Sequence, residues 1–440
     1  MNRGGRRPGS TRRRAEAVEE DRLSPCAARS ARARRRRPLD PEGRAFDYRT
    51  EFQRDRDRIL HSRAFRRLAD KGPLAGGDPH RTRLSHALET SQLGRTIARA
   101  LDLNEDLVEA ISLAHDLGRP PMGDAGLEAM ASLLGGGIVV QGFSPGALGE
   151  VGGFDVPAQG LRVVDLLEKR YEHPGINLTD EVRAGVWKQR DPCRGEGYPD
   201  EDREGLEPGA AASPEAQTAR IACRIALGAL SLDDRLANGT VALERVERLG
   251  LIRELMRKLG DRYGRGGLFM RRNRLHRGLT HLLVTGVIRR SGEVLRRWTE
   301  RERVGDPARF LERRGALPAD VVDLPDRLAD LLAELEGVLE SGTATRREAA
   351  LERRRARGMI HGLFQAYHAD PATLEDYVLL RFREAEGLRF LRDVPPGEQA
   401  QEIDRHYRGS RFLARTIADH LAGMTDRYLV DEHRRLCVQG

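Results

Sequence analysis

Cysteine is scarce: four residues in 440, at Cys26, Cys193, Cys223 and Cys437, with no CxxC pair among them. That isolation excludes a disulfide framework and a zinc-finger spacing, and it points to a reducing compartment, read here as the cytoplasm. Long apolar runs are missing as well. Nothing approaches the roughly 18–20 consecutive apolar residues of a membrane span, and the Arg-rich N-terminus lacks the apolar stretch of a secretory signal, so no membrane partner is expected. Lysine is almost absent, with only Lys71, Lys169, Lys188 and Lys258 among 76 basic residues. A skew this strong resembles high-GC codon usage, which lowers the weight of any single Arg cluster.

The formal charge of +8 is unevenly placed. Residues 1–38 hold 13 Arg against 4 acidic residues, a net +9 that exceeds the charge of the whole chain and leaves the remainder at −1. The basicity therefore belongs to an arm and not to a body surface. Clusters such as Arg12-Arg13-Arg14 and Arg34 to Arg37 carry no apolar period, and the expectation for residues 1–40 is a disordered basic arm. Two readings of that arm follow: non-specific nucleic-acid binding through residues 1–38, or a codon-biased extension without a role.

From about residue 41 the dominant period is helical, and convincing strand alternation is absent, so the fold class is all-α. Leu93, Ile97 and Leu101 share one stripe, Leu107, Ile111 and His115 another, and Ile417, Leu421, Met424 and Tyr428 a third. Asn104 is placed to cap a helix whose first turn carries Glu105 and Asp106, while Gly118 and Pro120-Pro121 end it, leaving His115 and Asp116 in its last turn. Gly/Pro/polar stretches near 133–160, 189–214 and 259–274 read as loops or insertions within one helical body spanning 41–440.

An inward-facing His115 followed by Asp116 must be satisfied somehow, although a His-Asp dipeptide alone is more often a hydrogen-bonded core pair than a metal site. His86 adds little by itself. The surrounding text is more specific. DRDRILHSRAFRRL at 55–68, RTRLSHALETSQLGRTIARAL at 81–101, LNEDLVEAISLAHDLGRPPMGDAG at 103–126, PGINLTDEVRAG at 174–185, EAQTARIACRIALGALSLDD at 215–234 and RTIADHLAGMTDRYLVDEHRRL at 415–436 occur in family order. The chain resembles the dGTPase-like deoxynucleoside triphosphate triphosphohydrolases of the HD-domain superfamily.

The resemblance implies an all-α HD-domain bundle, a homo-oligomer, and a divalent metal (Mg, Mn, Fe, Co or Zn) held by a His…His-Asp…Asp set. Its substrate would be a deoxynucleoside triphosphate, cleaved at the α-phosphorus to a deoxynucleoside and triphosphate. A metal ion suits that chemistry because it polarises a phosphoryl oxygen and makes a bound water nucleophilic. His86, His115 and Asp116 match three of the ligands. Arg81, Arg83, Arg67 and Gln159 match positions expected to face the substrate, Arg83 one helical turn before His86.

Several matched positions depart from the family pattern. Ala-Asp-Glu-Ile-Ala-Tyr becomes Ala222-Cys223-Arg224-Ile225-Ala226-Leu227, so the fourth ligand is Cys223, and the stripe continues with Leu227, Leu230 and Ser231. A thiol there is either a soft ligand favouring zinc or a small hydrophobe in a packed helix. His-Pro-Pro-Phe-Gly-His-Ala-Gly-Glu becomes Arg119-Pro120-Pro121-Met122-Gly123-Asp124-Ala125-Gly126-Leu127. Asp124 thus stands where a His would protonate the leaving oxygen, and a carboxylate is a poor acid toward an alkoxide. Arg119 and Asp124 are expected to pair across the Pro-Pro turn, or Asp124 to swing in as a substitute ligand. Three functions follow: a phosphohydrolase with an altered metal shell, a non-catalytic nucleotide-binding or regulatory paralogue, and a nucleic-acid-binding module acting through the arm.

Overall fold

The computed structural model describes residues 8–39, 47–72, 82–137, 143, 147–189, 198, 203, 205–207, 211–341 and 346–438. Among these no strand forms, and only two isolated bridges occur, Arg35 with Thr179 and Lys169 with Gly175. The all-α expectation holds. Helices of ten or more residues are α1 (Pro8–Arg22), α2 (Glu51–Leu60), α3 (Arg83–Ala100), α4 (Glu105–Ala114), α5 (Gly123–Leu134), α6 (Pro214–Ala237), α7 (Gly250–Leu259), α8 (Leu268–Glu302), α9 (Asp326–Ser341), α10 (Arg346–Ala369), α11 (Asp376–Glu386), α12 (Arg411–Gly423) and α13 (Asp426–Cys437).

Local chemistry sets the helices that matter to the site. Asn104 accepts from Leu107 N at 3.1 Å, the expected cap, and Glu105 and Asp106 face the positive end of the α4 dipole. Ser213 caps α6 by accepting from Ala216 N at 3.2 Å, with Pro214 in the first turn. The stripes Ile97, Leu107 and Ile111 are fully buried, each contributing about 1.5–3 kcal/mol by leaving water. Where α3, α4 and α6 meet, Gly94 lets them close. A Cβ there would stand 2.7 Å from Val108 Cγ1, which already lies in contact with the glycine's open side.

Burial falls into two clusters. One joins α2, α3, α4 and α6 to α7, α8 and α9, through residues such as Ile97, Ile111, Ile225, Leu279 and Leu335. The other joins α5 to α10 through α13, with Met130, Phe364, Phe382 and Leu421 at its centre. The segments around 63–71 and 163–169 lie at their junction.

Three expectations are corrected. The stripe Ile417–Tyr428 spans two helices, because α12 stops at Gly423, Met424 is extended, and Thr425 caps α13 by accepting from Tyr428 N. The stretch 259–274 is largely helical, with a turn at Asp261–Gly264 and α8 beginning at Leu268. Within 133–160 only the described part can be compared, and α5 persists to Leu134 while a short helix opens at Val156. The 189–214 stretch lies mostly outside the described residues.

Within the N-terminal segment, the described residues 8–39 depart from the expectation of disorder. Residues 8–22 form α1, and the following stretch docks on the body with Cys26, Ala27 and Ser30 buried. The physical reason is that its guanidiniums find acceptors, some on the body and some within the segment itself. Arg35 pairs with Glu51 at 2.9 Å and Asp55 at 2.5 Å and donates to Asn177 O at 2.5 Å. Arg29 donates to the carbonyls of Leu23, Ser24 and Ala27.

Candidate metal centre

The site lies where α3, the end of α4 and α6 converge. Thr82 caps α3 by accepting from Ser85 N, and one turn on, His86 points into the bundle with 1% of its surface exposed. His115 and Asp116 follow directly on α4, in a turn that Gly118 permits. A Cβ on Gly118 would sit 2.2 Å from Val156 O and 2.3 Å from Gly160 N, so the turn is pressed against the backbone of the helix Val156–Arg162. Cys223 comes from the middle of α6.

Ligand atoms of His86, His115 and Cys223 lie within 4.8 Å of one another. Cys223 Sγ is 3.5 Å from His86 Nε2, and the two imidazoles meet edge to face with centroids 5.3 Å apart. The packed-hydrophobe alternative for Cys223 is therefore set aside: the thiol faces the histidines, while Leu230 is buried and Leu227 is 37% exposed on the same helix. His115 Nδ1 is committed to Ser112 O at 2.6 Å, and its buried Nε2 makes no hydrogen bond. That is the tautomer a metal-ligating histidine adopts, its second nitrogen fixed by a carbonyl. The donor set fits a divalent cation.

Electrostatics bind the three groups together. Burial alone would raise the Cys223 thiol, but the imidazoles of His115 and His86 outweigh it and bring it down to about 5. Burial would lower His115, yet Asp116 and Cys223 push it up to about 9. Asp116 is buried too, and His115, Arg83 and Arg119 hold its carboxyl far below the ordinary range.

Asp116 is adjacent to the cluster but otherwise engaged. Its Oδ2 lies 3.5 Å from His115 Nε2 and 3.4 Å from an Arg83 amino nitrogen, and its Oδ1 accepts from Arg119 Nε at 3.0 Å. Arg119 also donates to Asp124 Oδ1 at 2.8 Å, so the expected pair across the Pro-Pro turn is present. The Asp124 side chain is 82% exposed and does not swing in as a ligand. The loop it occupies is fixed from the C-terminus, since Asp426 accepts from both Met122 N and Gly72 N at 2.8 Å.

Of the residues expected to face substrate, Arg83 is buried beside Asp116. Gln159 is instead locked in a buried network, donating to Asp419 at 3.1 Å and accepting from Arg415 at 2.7 Å. Arg67 donates to Gly423 O at 2.8 Å, on the far side of the His-Asp turn. Arg81 lies outside the described residues. Arg119 as a direct partner of Asp116 was not foreseen; its spacing of three residues was the available signal.

This helical frame, with His86 brought beside the His115-Asp116 pair, is that of an HD-domain protein. The HD domain model matches residues 83–228 and the phosphohydrolase-associated domain model matches 390–435. A protein of Thiobacillus denitrificans is 34% identical over 433 residues, covering 95% of this chain and 98% of its own length. One of Ralstonia nicotianae is 35% identical over 422 residues, 95% of each, and one of Nitrobacter hamburgensis is 35% identical over 427 residues, 91% of this chain and 94% of its own. All three are named deoxyguanosinetriphosphate triphosphohydrolase-like protein. The chain belongs to that dGTPase-like triphosphohydrolase family. No helix among the described residues is long and apolar enough to cross a membrane.

Proposed function

We propose that this protein is a dGTPase-like family member that holds a divalent, thiophilic metal, zinc by preference, through His86, His115 and Cys223, and that its hydrolysis of deoxynucleoside triphosphates is impaired. The observation that carries the reading is the convergence of two imidazoles and a thiol within 4.8 Å. Two neutral nitrogens and a thiolate select a softer ion than a carboxylate-rich set does, and three protein ligands leave a position open, as catalytic zinc sites do.

When bound, the metal would polarise a phosphoryl oxygen and lower the pKa of a water. The chain's own groups then decide how far hydrolysis proceeds. Arg83 sits where a guanidinium can meet phosphate charge, but Asp116 already draws on it. Arg119 spans Asp116 and Asp124, so the carboxylate standing at the acid position is tied to a cation and turned to solvent. A general acid supplies typically about 10²–10⁴-fold in rate, and Asp124 in that posture is poorly placed to supply it.

Protein purified without chelators should contain near-stoichiometric zinc and release triphosphate from each of the four dNTPs at least about 10²-fold more slowly than a relative carrying the family's His and Asp. An empty site would sink the metal assignment. Turnover at the relative's rate would sink the impairment.

A further inference from the structure

A cavity of about 100 Å³, its surface mostly apolar but edged by charged side chains, lies at the junction of the two hydrophobic clusters, behind the His115–Asp116 turn. Its walls come from the 63–71 segment, Leu117, the 163–169 segment, α11 and α12. Five cations line it, Arg63, Arg67, Lys71, Lys169 and Arg381, against two carboxylates, Glu168 and Asp419. Neither carboxylate makes a close ion pair with those five, although Asp419 attracts Arg381 at longer range. Asp419 is taken by Arg162 at 2.5 Å and Arg415 at 3.3 Å, and Glu168 accepts from Ala64 N at 2.8 Å.

The three inner cations instead lean on carbonyl oxygens. Buried Lys71 donates to Ala422 O at 2.8 Å and to Arg119 O; Arg67 donates to Gly423 O at 2.8 Å, and Arg381 to Leu167 O at 3.1 Å. At the rim, Lys169 pairs with Glu384 at 3.0 Å, and Arg63 lies over the Tyr377 ring at 5.9 Å. Donors remain unused inside. Arg381 Nε is buried without a hydrogen bond, and so is Nε2 of His420, whose Nδ1 meets the Tyr377 hydroxyl at 2.9 Å.

Dipolar carbonyls compensate a buried cation less well than a charge does, and leaving ionic groups unpaired in a low-dielectric interior is costly. Burial and the neighbouring Arg67 accordingly depress Lys71 to about 7. An anion is the missing partner. We propose that this cavity is a binding site for a single tetrahedral oxyanion of phosphate type, held by Arg67, Lys71 and Arg381. The volume has room for one such ion with a few waters. Bound there, it would clamp the C-terminal helices to the HD-domain half through Lys71, which also holds the carbonyl of Arg119. The site is separate from the His86–His115–Cys223 cluster and does not depend on the function proposed above.

Titrating the full-length protein with inorganic phosphate at constant ionic strength, by calorimetry and by thermal melting, tests the site. Saturable binding of one phosphate per chain is expected, with a rise in Tm. The affinity should fall at least tenfold in Arg381→Gln and in Arg67→Gln, and persist in His115→Ala. No saturable binding to the unaltered protein would overturn the proposal outright, even if a variant failed to fold. So would loss of binding in His115→Ala alone, which would place the anion at the metal cluster. Tripolyphosphate binding more tightly than phosphate would overturn the single-oxyanion assignment.

Discussion

At the level of single residues, Cys223 is the decisive difference from the family's ligand set. Exchanging it for a carboxylate changes the metal and little else: Cys223→Asp should shift preference from zinc toward manganese, measured by competition and metal content. Triphosphate release should stay at least about 10²-fold below a competent relative, because Arg119 and Asp124 are untouched. Turnover at a relative's rate in the single variant would refute this. Asp419 offers a second test. Although burial would raise its carboxyl, Arg162 and Arg415 hold it down at about 2. A carboxyl depressed in the folded state stabilises the fold above its unfolded pKa of about 3.9 and loses that contribution as pH falls through its folded value. Asp419→Asn should therefore cost about 3–5 kcal/mol at pH 7 in urea unfolding, a gap that narrows between pH 4 and 2. The resemblance pointed to His86, His115 and Asp116, and to Cys223 only as the position where the family's fourth ligand is replaced. Whether Cys223 faced the histidines was not legible in the sequence, because its neighbours Leu227 and Leu230 read equally well as a packed stripe.

Among the elements, the turn after α4 is the most constrained. Gly118→Ala drives a methyl into backbone atoms of the helix Val156–Arg162, which cannot rotate away as a side chain would. The variant should lose about 3 kcal/mol or more, or fail to fold, and any folded fraction should bind metal more weakly because His115 and Asp116 are displaced. Denaturation midpoints and metal titration measure both, and a variant with wild-type stability would contradict the close contact. Local signals announced the start of α4 at Asn104, Glu105 and Asp106, whereas Gly118-Arg119-Pro120-Pro121 overshot its end, since the helix stops at Ala114 and His115 and Asp116 follow in a turn. Periodicity misled where apolar spacing continued across a break. Ile417 to Tyr428 keeps helical spacing through Met424, yet Gly423 and the Thr425-Asp426 cap mark the interruption.

Across the whole molecule, the N-terminal segment shows what composition cannot convey. Thirteen arginines without an apolar period resemble a solvated tail, but the acceptors Glu51, Asp55 and Asn177 are brought to Arg35 only by the completed fold. Arg35→Ala leaves Asp55 buried with Thr179 as its remaining hydrogen-bond partner, and should cost about 3–5 kcal/mol. Deleting residues 1–38 should destabilise at least as much in chemical unfolding, and more than it alters affinity for a mixed-sequence DNA. An unchanged unfolding midpoint would show the docked arm to be dispensable. The same long reach operates from the other terminus. Asp426 fixes Gly72 and Met122, and with them the loop that presents Arg119 and Asp124 beside Asp116. During synthesis α13 leaves the ribosome well after His86, His115 and Cys223, so a nascent chain carries both histidines and the cysteine long before the loop beside them has its anchor. Metal capture before that moment would meet an open, unfinished turn, and a chain ended before residue 426 would keep its ligands and lose the frame that orients their surroundings.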